Sequence, residues 1–275
     1  MATEIPNSIE INGQEIKFRK IHQDFSTTEP GIRLKNNTRW SRYQGELNNQ
    51  EWEKMMGYDV NNFEHGRLTF GITRLFIDHI NQSDSEIKFN PEEQRLLLLT
   101  AIVHDWPEGI TKNGDVSYDQ KTTQDEAEEL TGIEQIITGM FGQENLHLSK
   151  QIQNVLDDRN SKLGMAFNAI ERIGYLRTGL RGWEKSKITP PEISTNLIWL
   201  TNNAILNQVS KLVEYSSIYP PIDSYLQKNK KMISEVFDLM SDSIFEKYNS
   251  VEEKGKNITK FNLAKNDWAQ YIGKI

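Results

Sequence analysis

The chain of 275 residues contains no cysteine. That absence excludes disulfide frameworks, thiolate zinc sites, iron–sulfur ligation and cysteine nucleophiles together, and it fits a reducing compartment. Long apolar runs are also missing. The longest, Leu96 to Val103, falls far short of the roughly 20 residues that a membrane-spanning helix needs. The first residues, MATEIPNSIE, have no basic start followed by an apolar stretch, so no secretory signal is expected. These features predict a soluble, cytoplasmic protein without a membrane partner. A basic excess is lacking too: 32 Lys and Arg stand against 39 Asp and Glu, for a net charge of −7. A binder of duplex nucleic acid needs a basic face to displace counterions, so no duplex partner is expected. An anionic small ligand would have to be held locally, by a metal and a few arginines.

What is present begins with one β signal. Residues 8–18 alternate apolar and polar around Asn12-Gly13, a pair suited to a turn whose two central residues both need positive φ. A small hairpin is expected there. Residues 23–50 read as polar and rich in turn formers, with an Arg39-Trp40-Ser41-Arg42 cluster. The rest reads as helix. From a capping Asn61 or Asn62, the residues Leu68, Ile72, Leu75, Phe76 and His79 recur at helical spacing, and His65 lies on the same stripe. Asn90-Pro91-Glu92-Glu93 combines a cap, a Pro at the first helical position and a Glu at the third. The helix it starts is apolar nearly all round, so it should be central and buried. It should end near His104-Asp105, before Pro107 and Gly109. Further helices are expected at about 123–141, 148–156, 161–182, 192–213, 229–247 and 260–272, with a break at Pro220-Pro221.

His104 and Asp105 stand together at the end of that apolar helix. An imidazole and a carboxylate are costly to bury unless something compensates them. A divalent cation does so, because nitrogen and oxygen donors suit Mn, Co, Fe, Ni or Zn. A His-Asp pair also arises by chance, and a histidine at a helix end can simply offset the dipole. His65, on the inward face of a separate helix, makes coincidence harder to sustain. Glu108 follows His104 by four residues, so a continued helical turn would aim it at the same site. His22, His79 and His147 read as structural.

The order of these groups resembles the HD phosphohydrolase superfamily, and more narrowly its 5′-deoxynucleotidase-like branch. The residues that carry the resemblance are Arg39-Trp40, Glu64-His65, His104-Asp105-Trp106-Pro107-Glu108 and Gly114-Asp115, with Lys121 downstream. The family's last metal ligand is usually Asp. In the stretch Phe167 to Leu176 that matches its helix, Glu171 stands in that place.

The resemblance implies a divalent metal (Mn, Co, Mg, Fe, Ni or Zn) held by His65, His104, Asp105 and Glu171. It implies Glu108 and Asp115 as catalytic groups, and Arg39, Trp40 and Lys121 as substrate-binding groups. The expected fold is all-α: an HD-domain helical bundle with a small N-terminal β-hairpin and extra C-terminal helices. The chain divides on this reading into an extension (1–38), a catalytic domain (39–186) and a C-terminal helical region (187–275). The expected reaction is hydrolysis of a nucleotide, foremost release of phosphate from a (deoxy)nucleoside monophosphate. Two alternatives stay open: a degenerate HD module that binds a nucleotide or protein partner without turnover, and an iron oxidase, which needs more histidines than this chain offers. A homodimer is compatible with the family.

Overall fold

The computed structural model describes residues 4–57, 61–111, 122–240, 242–248 and 250–273. Two antiparallel strands, β1 (Ser8–Ile11) and β2 (Gln14–Lys17), come first. The described helices follow as α1 (Phe18–Phe25), α2 (Glu29–Asn36), α3 (Asn49–Met56), α4 (Asn62–Gln82), α5 (Pro91–Val103), α6 (Thr123–Phe141), α7 (Leu146–Asp157), α8 (Lys162–Ser186), α9 (Pro191–Ser216), α10 (Pro220–Lys228), α11 (Lys230–Leu239) and α12 (Val251–Gly273). The fold is all-α with an N-terminal hairpin and additional C-terminal helices. Among the described residues no helix is long and apolar enough to cross a membrane.

The chain forms two compact units, Met1–Arg39 with Tyr58–Ile170 and Trp40–Gly57 with Glu171–Ile275. In the first, the hairpin pairs Ser8 with Lys17 and Ile11 with Gln14. Asn12 and Gly13 take φ of 55° and 73°, the left-handed pair that the turn requires. The Asn12 side chain then clips the hairpin to the end of α6. Its Nδ2 donates to the Phe141 carbonyl at 2.9 Å, and Asn145 donates back to its Oδ1 at 2.9 Å.

The polar stretch read as turns contains α2 and α3, and α1 begins just before it. The residues that suggested turns are helix starts. The Thr28 hydroxyl accepts from the Gly31 amide, with Pro30 in the first turn of α2. Asn48 and Glu51 form a capping box on α3. Eight-residue helices are marginal alone, and burial supplies what propensity does not: Phe18, Ile21 and Phe25 of α1 are all buried.

α4 is capped by Asn61, which accepts from the Glu64 amide. Its buried face differs from the expected apolar stripe. His65, Thr69, Thr73, Phe76 and Ile80 point inward, whereas Leu75 is 71% exposed. The threonines tolerate burial because the Thr73 hydroxyl bonds back to the Thr69 carbonyl at 2.8 Å. α5 is buried from Leu97 to Val103, as its all-round apolar sequence predicts. Each leucine fully removed from water there contributes about 1.5–3 kcal/mol. α4, α1 and α7 pack against it.

In the second unit, α9 is the spine, with α10 and α12 against it. Leu197, Leu200, Ile205, Val209 and Leu212 are buried along it. Trp40 stands edge-on to Tyr175, with ring centroids 5.6 Å apart, and Tyr43 stands edge-on to Trp199 at 4.8 Å. Pro220-Pro221, read as a break, opens α10 instead, because Pro fits a first helical turn. The helix expected at 229–247 is α11 followed by a 3-10 turn over Asp242–Lys247.

Candidate metal centre

The two histidines predicted from separate helices meet inside the first unit. Their ring centroids are 5.3 Å apart at 63°, and a ring nitrogen of one lies within 4.8 Å of a ring nitrogen of the other. His65 is 1% exposed and His104 9%. The approach is possible because of the residue beside His65: a Cβ on Gly66 would meet the Ile102 carbonyl oxygen at 2.7 Å. α4 and α5 therefore touch backbone to backbone, one residue from the first ring and two from the second. From α8, Phe167 closes over His104 with centroids 5.5 Å apart.

The hydrogen bonds set the chemistry of His104. Its Nδ1 lies 3.1 Å from the Ala101 carbonyl, which can only accept, so the neutral ring carries its proton on Nδ1 and a lone pair on Nε2. That Nε2 stands 3.2 Å from Asp105 Oδ1, and His65 Nε2 stands 3.8 Å from Asp105 Oδ2. While its ring is neutral, His104 thus turns a lone pair towards a carboxylate beside a second buried imidazole, an arrangement that a bound cation, or a proton, makes favourable. The backbone bond to Ala101 is the kind of second contact that orients a metal-binding imidazole. Thr69 places its hydroxyl 3.3 Å from His65 Nε2 and helps fix that ring.

Asp105 also faces Arg39, whose Nη1 is 3.6 Å from Oδ2. Arg39, expected to bind substrate, is 5% exposed and faces the acid. Glu108 does not ride on a continued α-turn. α5 gives way after His104 to a 3-10 turn over Trp106–Gly109, built around Pro107, and the Glu108 amide donates to the Asp105 carbonyl at 3.1 Å. Glu108 is nevertheless buried, at 8% exposure, and its Oε2 accepts from Asn62 Nδ2. In the sequence Asn62 reads only as an alternative cap. The doubled Asn61-Asn62 was the signal, since one helix start uses one cap.

Glu171 is half-buried on α8, one helical turn past Phe167. Trp40 lies in the second unit with φ of 61°, a conformation bulky side chains rarely adopt. Asp115 and Lys121 lie outside the described residues. His22 sits on α1, its ring 4.0 Å from that of Phe63 and its Nε2 3.2 Å from the Phe63 carbonyl. Burial lowers its pKa below the ordinary 6.5. His147 belongs to α7.

Beyond the 3-10 turn, a cleft of about 360 Å³ opens, with Thr111, Gln124, Glu128, Thr131 and Gln135 among the residues lining it. Among the described residues, none that lines it is basic. No protein-family model, curated protein or solved structure matches the chain.

Proposed function

We propose that the protein is a divalent-metal-dependent phosphohydrolase acting on a nucleotide, foremost a 5′-nucleotidase releasing phosphate from a (deoxy)nucleoside monophosphate. The observation that carries the reading is the meeting of His104 Nε2 with Asp105 Oδ1 at 3.2 Å, beside the second buried imidazole of His65. The donors are nitrogen and carboxylate oxygen, which suit Mn, Co, Fe, Ni or Zn. Glu171 is the proposed further ligand, because it stands in α8 where the resembling family carries its last acidic ligand.

A divalent ion held there would make bound water acidic and polarise the phosphorus–oxygen bond. The remaining work falls to side chains of this chain. Glu108, buried and held by Asn62, accepts a proton from the attacking water. Arg39 balances negative charge beside Asp105, and its guanidinium offers a fork to phosphate. The described lining of the cleft, with Thr111, Gln124, Thr131 and Gln135, offers hydroxyl and amide groups that suit those of a nucleoside.

A second reading is a module that binds a nucleotide without turnover. The pairing of Arg39 with Asp105 favours it, because a guanidinium already neutralises part of the acid's charge. One experiment separates the two. Protein purified without chelator is analysed for metal, then assayed for phosphate release from nucleoside mono-, di- and triphosphates with added Mn or Co. The hydrolase releases phosphate in proportion to bound metal. A binder retains the nucleotide and releases none.

A further inference from the structure

We propose that Asn62 is a positioning residue, which fixes the Glu108 carboxylate from the same helix that carries His65. The role of Glu108 in turnover rests on the phosphohydrolase reading above, but the hold of Asn62 on it does not.

An asparagine at the start of a helix ordinarily serves as its cap. Here that work is done by Asn61, whose Oδ1 accepts from the Glu64 amide at 2.8 Å. Asn62 is therefore surplus as a cap, yet it is 1% exposed. Its Nδ2 donates to Glu108 Oε2 across 46 residues of sequence. Its Oδ1 is buried and accepts no hydrogen bond from any described residue. A half-satisfied amide is a poor choice for packing alone, because an apolar side chain of similar size would cost less there. Its presence points to work at the site.

The chemistry suits a carboxylate that must move a proton. A lysine at position 62 would pair with Glu108 and suppress its basicity, and an aspartate would repel it. A carboxamide holds one oxygen without supplying a charge, and stops the carboxylate from rotating. The geometry also ties two jobs to one element. Asn62 and His65 are one turn apart on α4, so a single helix places an imidazole and sets the angle of the proton acceptor. The Oδ1, which takes no hydrogen bond from a described residue, adds a second acceptor beside the first, which suits the two protons of one water.

The test is a double-mutant cycle on the full chain with Mn²⁺, using Asn62→Ala, Glu108→Gln and the double variant. Deoxynucleoside 5′-monophosphates serve as substrates, and metal binding and thermal unfolding are followed alongside. Asn62→Ala should keep Mn²⁺ affinity within about two-fold and KM within about three-fold, while kcat falls roughly 10- to 100-fold, a part of what a general base supplies. In the Glu108→Gln background the same change should cost nothing further. A loss of equal size in both backgrounds, or a change confined to KM, overturns the proposal. If the wild type releases no phosphate with any metal, the phosphohydrolase reading fails, and the unfolding cycle decides the contact by itself. Coupled shifts in Tm, with the double variant shifted less than the two single variants together, uphold the hold of Asn62 on Glu108; additive shifts refute it. Should Asn62→Ala fail to fold, Asn62→Leu, close in size and without donor or charge, carries the same cycle.

Discussion

Gly66 and Ile102 are in backbone contact: a Cβ on the glycine would stand 2.7 Å from the carbonyl oxygen of the isoleucine. Because Ile102 is itself part of α5, that oxygen cannot yield without moving the helix that ends in His104. Gly66→Ala should therefore push α4 from α5, cost roughly 1–3 kcal/mol of stability, and weaken metal binding at least about ten-fold as the rings separate. Chemical denaturation and a metal titration check both numbers. Unchanged values for both would mean that the helices do not need this approach.

Asp105 lies within 4 Å of both imidazoles and of Arg39. Its replacement by Ala should abolish bound metal and turnover together, and Asp105→Asn, which keeps the shape and loses the charge, should behave nearly as badly. Full activity in Asp105→Ala would remove the metal centre as proposed. Elemental analysis beside phosphate release is the measurement.

If Glu171 is a ligand, Glu171→Asp should retain activity, since aspartate offers the same donor one methylene shorter. Glu171→Ala should lose at least about ten-fold in metal affinity, in the range seen when a site's supporting carboxylates are removed. Equal metal content in all three proteins would assign the position to another group.

His22 gives a pH dependence of defined sign. Burial is the largest cause of its lowered pKa, only partly offset by the Phe63 carbonyl and Glu64, while Arg67 and Lys35 lower it further. The unfolded chain therefore takes up a proton at higher pH than the folded one does. The contribution of His22 to stability is complete above about 6.5 and is lost as pH falls from there to the folded value. Thermal melts between pH 7.5 and 5 should show a steeper decline in the wild type than in His22→Phe. Parallel curves would contradict this.

Asn12 latches the hairpin to α6 through the Phe141 carbonyl and Asn145. Asn12→Ala should cost about 1 kcal/mol for the lost bonds and unfavourable turn, with phosphate release unchanged. A loss of activity without loss of stability would instead tie the hairpin to the site. Urea unfolding with a parallel assay distinguishes these outcomes.

Much of the first unit could be read before folding, because its signals are local. Asn12-Gly13 dictated a turn through backbone sterics alone. Asn90, Pro91 and Glu93 marked the start of α5, and its unbroken apolar run dictated burial on every side. The His104-Asp105 pair stood out because such groups are expensive at the end of such a helix. The short helices α1 to α3 escaped notice, since eight residues carry too little periodicity and their capping residues are the same types that make turns.

The sequence by itself determined which polar side chains would be drawn inside: two histidines and an adjoining acid, set on helices whose other faces had to be buried. Only the tertiary structure decided how they meet. Gly66 could have served any purpose until Ile102 was found against it. Asn62 looked like a cap until Glu108 came back to it through a 3-10 turn. Arg39 turned out to face Asp105. Contacts of this kind join residues tens of positions apart, so no local pattern encodes them, and they exist only once the packing of α4 on α5 has fixed the distance.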